Sequence, residues 1–237
     1  MNIAILGTGM VGRAFALRLL GLGYKVKLGT RNVESTLART EADSKGTSPY
    51  ASFAKENAHI PLQNFNDAIK ECGIIINASE GIHSLELFSQ LDFQQLAGKI
   101  VLDLALPLAF SPNRPPYLAP AFIDNSLGEQ LQRLLPQSFV VKTLNTMPVA
   151  LMLNPKLLEG NHNVFISGDN AEAKARIATL LQEFGWSKES ILDLGGIMSA
   201  RASEMYANLL FSIADTLGTY DFNIAIVRQT NPCSNIH

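Results

Sequence analysis

The sequence predicts a doubly wound α/β fold, a parallel sheet with helices on both faces. Three observations carry this. Short apolar runs alternate with segments of helical periodicity through most of the first 147 residues. The run 73–78, Gly-Ile-Ile-Ile-Asn-Ala, is apolar enough for a strand buried on both faces. The chain also opens on a run, Asn-Ile-Ala-Ile-Leu at 2–6, that leads straight into Gly7-Thr8-Gly9-Met10-Val11-Gly12 and then a helical pattern of Ala14, Phe15, Leu17, Leu19 and Leu20.

The elements follow in order. The first strand spans 2–6 and its helix covers 13–20. The second strand spans 25–29. The polar stretch 33–56 holds helices around 34–40 and 50–57, and a short third strand is expected over 58–62. Helix follows at 66–72, strand at 73–78, helix at 83–91, strand at 99–104 and strand again at 139–141. Between the last two lies 107–120, which holds Pro107, Pro112, Pro115, Pro116 and Pro120. Proline fixes φ and removes an N–H, so this reads as a loop over the strand ends. Residues 126–135 read as a helix, with Ser126 as N-cap and Glu129 completing a capping box. Beyond Pro148 a strand is expected at 163–167, helices at 171–184 and 200–217, a closing segment at 222–227 and a polar tail at 229–237. We divide the chain into a dinucleotide-binding part, 1–147, and a small, mainly helical part, 148–237, which serves substrate binding or oligomerisation; no flexible linker marks the boundary.

Composition narrows the function classes. With 237 residues, 47% of them hydrophobic, the chain can bury a sizeable core. A net charge of −2 without a basic run argues against nucleic acid. No apolar stretch reaches the ~18 residues of a membrane span, and the first strand begins at residue 2, which leaves no room for a leader. Cys72 and Cys233 form no C-x-x-C pair, and a reducing cytoplasmic setting is the simplest reading. His59, His83, His162 and His237 lack metal-ligand spacing, so no metal is expected. Hydrolase-elbow and P-loop motifs are absent from the sequence.

The glycine motif in its strand–turn–helix setting is a dinucleotide fingerprint. Gly7 allows the bend, Gly9 lets backbone approach a pyrophosphate and Gly12 lets helix pack on strand, while the helix N-terminus offers N–H groups to phosphate. An NAD site places an acid about 20 residues further on, at the end of the second strand. Here Thr30-Arg31-Asn32 stands there, and no carboxylate precedes Glu34. Arg31 would attract the 2′-phosphate that an acid repels, with Thr30 and Asn32 hydrogen-bonding beside it, so NADP(H) is the expected cofactor. Read otherwise, Arg31 is an ordinary loop arginine.

In such a sheet the ligand crosses the carboxyl ends of the strands. That selects 8–11, 30–32, 77–81, 105–108 and 142–147. The turn Ala78-Ser79-Glu80 is expected beside the cofactor ribose and nicotinamide, or is an ordinary strand–helix turn. His83, at a helix start, is a candidate proton donor or a locally bonded histidine. Lys142 and Asn145 are expected to point towards the cleft or to hold a loop. Asp103 is read as a loop or helix anchor and Tyr206 as packing. No acid–base pair stands out, so no catalytic residue is assigned. Hydride exchange between nicotinamide and a flavin-like ring needs mainly stacking and orientation.

These residues resemble the F420-dependent NADP oxidoreductases. The likeness runs from Ile5-Leu6-Gly7-Thr8-Gly9-Met10-Val11-Gly12 and Gly29-Thr30-Arg31-Asn32, through Val141-Lys142-Thr143-Leu144-Asn145-Thr146-Met147-Pro148, to Leu194-Gly195-Gly196, Ala200-Arg201 and Phe222-Asn223. It implies a Rossmann domain, a small C-terminal domain, a homodimer, and hydride transfer between NADPH and a deazaflavin, coenzyme F420, or a flavin. It further implies that Gly7, Thr8, Gly9, Met10, Val11 and Gly12 hold the pyrophosphate and that Thr30, Arg31 and Asn32 hold the 2′-phosphate. Ala78, Ser79 and Glu80 would lie by the nicotinamide ribose. Leu106, Pro107, Asn145, Thr146, Met147 and Pro148 would border the second ring. The chain departs from the archaeal pattern at Asn145, where those enzymes have His, at 77–80 and in the 107–120 loop, all on the acceptor side. A reductase of small carbonyls or imines, using Lys142 or His83, and a non-catalytic NADP(H) sensor are the alternatives.

Overall fold

The computed structural model describes residues 1–43 and 46–228; the expected tail at 229–237 lies outside them. The strands are β1 (Asn2–Leu6), β2 (Lys25–Thr30), β3 (Leu62–Asn64), β4 (Ile74–Asn77), β5 (Ile100–Asp103), β6 (Leu108–Ala109), β7 (Tyr117–Leu118), β8 (Phe139–Thr143), β9 (Val164–Ser167) and β10 (Ile191–Asp193). The helices are α1 (Met10–Gly21), α2 (Val33–Leu37), α3 (Tyr50–Glu56), α4 (Phe65–Ile69), α5 (Gly81–Ser89), α6 (Phe93–Leu96), α7 (Leu127–Leu134), α8 (Val149–Leu153), α9 (Ala171–Phe184) and α10 (Ala200–Leu217).

Eight strands form one sheet in the order β3-β2-β1-β4-β5-β8-β9-β10. From β3 to β8 every pairing is parallel; β9 joins β8 antiparallel and β10 runs with β9. Residues after 147 thus add two strands to the sheet that the earlier residues begin. The chain winds outward from β1 in both directions, so the crevice between β1 and β4 is the topological switch point.

Side-chain alternation along β1 divides the core in two. Ile3 and Ile5 face a layer built from α1, α3, α8 and α9, including Phe15, Phe53, Leu151 and Phe184. Ala4 and Leu6 face the opposite layer, with Ile69, Phe88, Leu96, Leu131 and Ala200. Caps set several helix starts. Asn170 accepts from the Ala173 N–H at the head of α9, and Ser126 and Glu129 make both arms of the expected capping box. Gly185 (φ 113°) and Gly218 (φ 66°) end α9 and α10 in the left-handed conformation.

Two expectations are corrected. The third strand is β3 at Leu62–Asn64 rather than 58–62, because the Ile60 N–H turns back to the Asn57 carbonyl and Pro61 has no N–H to place in a ladder. The proline-rich loop contains the small hairpin β6–β7, which the Leu118 N–H ties to the Asn208 side chain of α10. Residues 219–228 are neither helix nor strand. Asn163 holds them, donating its N–H to the Ile224 carbonyl and accepting from the Ile226 N–H.

Candidate functional site

A cleft of about 860 Å³ opens over the carboxyl ends of β1, β2, β4, β5 and β8. The fingerprint forms its floor. Gly7 has φ 129°, and a Cβ there would lie 2.4 Å from the Ala78 carbonyl oxygen. A Cβ on Gly12 would lie 2.1 Å from the Gly7 oxygen, so Gly12 packs beneath the loop and does not face the cleft. At Gly9 a Cβ would meet open space, which leaves bare backbone at the head of α1. That is the cradle a pyrophosphate requires, the head of a helix that carries no side-chain cap. Gly7, Thr8, Gly9, Met10 and Val11 all line it.

At the end of β2, Thr30 and Arg31 line the cleft but Asn32 does not. The Asn32 carboxamide caps α2 instead, accepting from the Ser35 N–H at 2.8 Å. Thr36 donates its hydroxyl to the Asn32 carbonyl, so the Thr30 hydroxyl must donate to Thr36, 2.7 Å away. Two arginines that sequence reasoning missed stand close by. Arg13 is buried below the fingerprint, donating to the Thr8 carbonyl at 2.8 Å and to the Ser48 carbonyl at 2.7 Å. Arg39 lines the cleft and donates to the Thr8 hydroxyl at 2.6 Å. Both guanidinium groups stack on Tyr50, at 5.0 and 5.5 Å from its centroid. Burial, and then the Arg39 charge, lower the Arg13 pKa. Arg13 follows the last fingerprint glycine directly, a positional signal; Arg39 carries none, because only folding of the α2–α3 connection brings it back to Thr8.

Ala78, Ser79 and Glu80 line the middle of the cleft. Their turn is held from below. Asn77 accepts from the Ser79 hydroxyl at 2.7 Å and donates to Asp103 at 2.8 Å, and Asp103 also accepts from the Ala105 N–H at 3.1 Å. Asp103 is thus the loop anchor the sequence suggested. Further along, Leu106, Asn145, Met147 and Pro148 line the cleft, whereas Pro107 and Thr146 do not. The Pro107 carbonyl accepts from Ala119 and Thr146 is buried. Asn145 is itself almost fully buried, its carboxamide donating to the Ser203 carbonyl at 2.9 Å.

Of the two readings of Lys142, the structure shows the one in which it holds a loop. Its side chain is fully buried beneath the cleft wall instead of pointing into it. The ammonium donates to Asp103 at 2.9 Å and to the Ala105 carbonyl, and pairs with Glu204 of α10 at 3.0 Å. Glu204, also missed, accepts from the Leu127 and Gly128 N–H groups at the start of α7. Burial opposes the charge on Lys142, but the Asp103 and Glu204 carboxylates outweigh it and raise its pKa. Burial likewise raises the Glu204 pKa, against the pull of Lys142. The lysine's proton is therefore held tightly and away from any ligand. His83 lies at the exposed rim, 4.0 Å from Glu86.

The geometry agrees with the likeness to known proteins. The model of the coenzyme F420-dependent NADP oxidoreductase family matches residues 2–107. A crystal structure from Arthrobacter sp. FB24, provisionally named an F420-dependent NADP-reductase, is 42% identical with a TM-score of 0.87, covering 96% of this chain and 100% of that one. This chain belongs to that family. The F420-dependent NADP reductase of Methanocaldococcus jannaschii is 29% identical over 217 residues, 90% of this chain and 92% of that protein. Metalloreductase STEAP3 of Rattus norvegicus is 31% identical over 204 residues, but these are 86% of this chain and only 36% of that protein. An imine reductase from Aspergillus terreus, solved with NADPH4 and dibenz[c,e]azepine, shares the fold at 16% identity and a TM-score of 0.58, over 92% of this chain and 63% of that one. No helix among the described residues is long and apolar enough to cross a membrane.

Proposed function

We propose that this protein is an NADP(H)-dependent oxidoreductase that moves a hydride between NADPH and a planar deazaflavin, coenzyme F420, or a flavin-like ring. NADPH supplies the hydride when bound. In this reading the bare backbone at Gly9 and the head of α1 hold the pyrophosphate, Arg31 faces the 2′-phosphate, and Ala78, Ser79 and Glu80 border the nicotinamide ribose. Asp103 and Asn77 fix that turn from beneath. Leu106, Asn145, Met147 and Pro148 border the second ring.

The observation that carries the reading is the burial of Lys142. With its ammonium sealed off, the wall past Ser79 presents Leu104, Leu106, Met147 and Phe211, a surface suited to stacking a flat ring, and leaves the Tyr220 phenol and the rim imidazole of His83 as the proton-bearing side chains besides Glu80 on that side of the cleft among the described residues. Carbonyl reduction needs a placed proton donor, and hydride exchange between two rings needs mainly orientation. The same reading takes 1–147 as the cofactor-binding part, sets the protein in the cytoplasm and makes it a homodimer through α10, whose Met205 and Leu209 are exposed.

The test mixes purified protein with NADPH and oxidised F420, with FMN and no-acceptor controls. NADPH-dependent bleaching of the deazaflavin or flavin is the expected result. Tight NADPH binding with no turnover of either ring would overturn it.

A further inference from the structure

We infer that Arg39 is a second reader of the adenosine 2′-phosphate, so that the phosphate is gripped by Arg31 and Arg39 around Thr8 rather than by Thr30, Arg31 and Asn32. The inference rests on the NADP(H) reading and changes which residues confer it.

Among the described residues, the donors at this end of the cleft are few. A phosphate dianion needs several, and charged ones dominate. Asn32 lies outside the cleft, its carboxamide held at the head of α2 by the Ser35 N–H, so its NH2 group is not among the donors there. The Thr30 hydroxyl proton is spent on Thr36. Among the described residues Arg31 makes no hydrogen bond or ion pair, and it faces the cleft. By itself it would leave the dianion under-coordinated. The Gly7 N–H to Gly29 carbonyl bond, 3.1 Å, holds the end of β2 against the fingerprint, so Arg31 and Thr8 belong to one end of the cleft.

Arg39 completes that end. Its guanidinium reaches the Thr8 hydroxyl oxygen, so this oxygen is already an acceptor and its proton is left to donate elsewhere. One arginine thus supplies its own remaining N–H groups and also sets Thr8 as a donor. Stacking on Tyr50 holds the planar group in place. Arg13 on the same ring adds a second cation, whose charge Arg39 opposes and the nearby Asp43 carboxylate favours. Asp43 and Thr47 also line this end; the Asp43 carboxylate accepts from the Thr47 N–H within its own loop.

The test is equilibrium binding, which needs no turnover. Dissociation constants for NADPH and NADH are measured on the full chain, on Arg39→Met, Arg39→Lys and Arg31→Met, with thermal denaturation alongside. Methionine keeps the stem and removes the charged fork. Arg39→Met is expected to weaken NADPH binding by about tenfold or more, as for a lost bond to a charged group, and to leave NADH within about twofold. Arg39→Lys should recover part of the loss, and the salt dependence of NADPH binding should flatten in Arg39→Met. Equal weakening of both dinucleotides would make Arg39 a mere support of the Thr8 loop, and no effect on either would remove it from the site; either overturns the inference. A wild-type protein that shows no preference for NADPH overturns the cofactor reading itself. Loss of that preference in Arg31→Met but not in Arg39→Met overturns only the role of Arg39.

Discussion

Replacing Lys142 by methionine removes the ammonium that stands between two buried carboxylates. All three charged side chains are fully buried. The lysine has three partners, at 2.9 Å on Asp103, at 3.0 Å on Glu204 and on the Ala105 carbonyl. Methionine fills the volume of the stem but leaves both acids uncompensated. Breaking a buried ion pair from one side costs about 3–5 kcal/mol. The cheapest escape is protonation of Glu204, whose pKa burial already raises. A carboxyl whose folded pKa lies above its unfolded value contributes most below the unfolded pKa and loses stability as pH rises towards the folded one. The stability of Lys142→Met should therefore fall with pH above about 4.5, by up to about 1.4 kcal/mol per unit, and its deficit should grow once pH passes the raised folded pKa of Glu204 in the wild type. Urea unfolding followed by circular dichroism from about pH 5 to 8 reads both quantities. Adding Glu204→Gln should return about 1–3 kcal/mol at neutral pH and flatten the pH dependence, since the excess charge is gone. A single variant within about 1 kcal/mol of wild type, a deficit independent of pH, or no recovery in the double variant would refute the argument.

Three further outcomes are expected. Gly9→Ala should keep stability within about 0.5 kcal/mol, because its φ of −79° suits alanine and its Cβ meets open space, yet weaken NADPH binding about tenfold or more through the methyl at the cradle; titration with NADPH checks this. Gly12→Ala should instead lower the melting temperature, at a cost of about 1–3 kcal/mol, since its Cβ would overlap the Gly7 oxygen. Glu129, held down to a pKa of about 2 chiefly by its hydrogen bonds from Arg201, contributes stability that is full above about 4.5 and disappears as pH falls through about 2. The shift would be worth about 3 kcal/mol unscreened, and about 1–2 kcal/mol allowing for an Arg201 side chain that is 40% exposed. Arg201→Ala should lose that amount at neutral pH and nothing below pH 2, as acid titration of the melting temperature would show.

The sequence by itself determined what depends on neighbours along the chain. The turn of Gly7, Gly9 and Gly12 is a local backbone requirement, and β1 and α1 lie where it predicts. The caps at Ser126 and Asn170 each satisfy the N–H three residues on, so local residues set the starts of α7 and α9, and the spacing of Ser126 and Glu129 alone predicts the first. The three successive isoleucines at 74–76 had to lie in a central strand, because their alternating side chains need apolar cover on both faces. Where Lys142 points was not readable, since the two acids that claim it lie 39 and 62 residues away on β5 and α10 and meet it only when β5 and β8 pair. Arg39 is the same case at the other end of the cleft: its bond to Thr8 spans 31 residues and exists because the chain between α2 and α3 folds back over the fingerprint. Asn32 shows the converse, a side chain whose type suited phosphate but which caps the head of α2 and lies outside the cleft. Local geometry follows from local residues, whereas the direction of a long polar side chain follows from where its counter-charges lie, and only the tertiary structure brings those together.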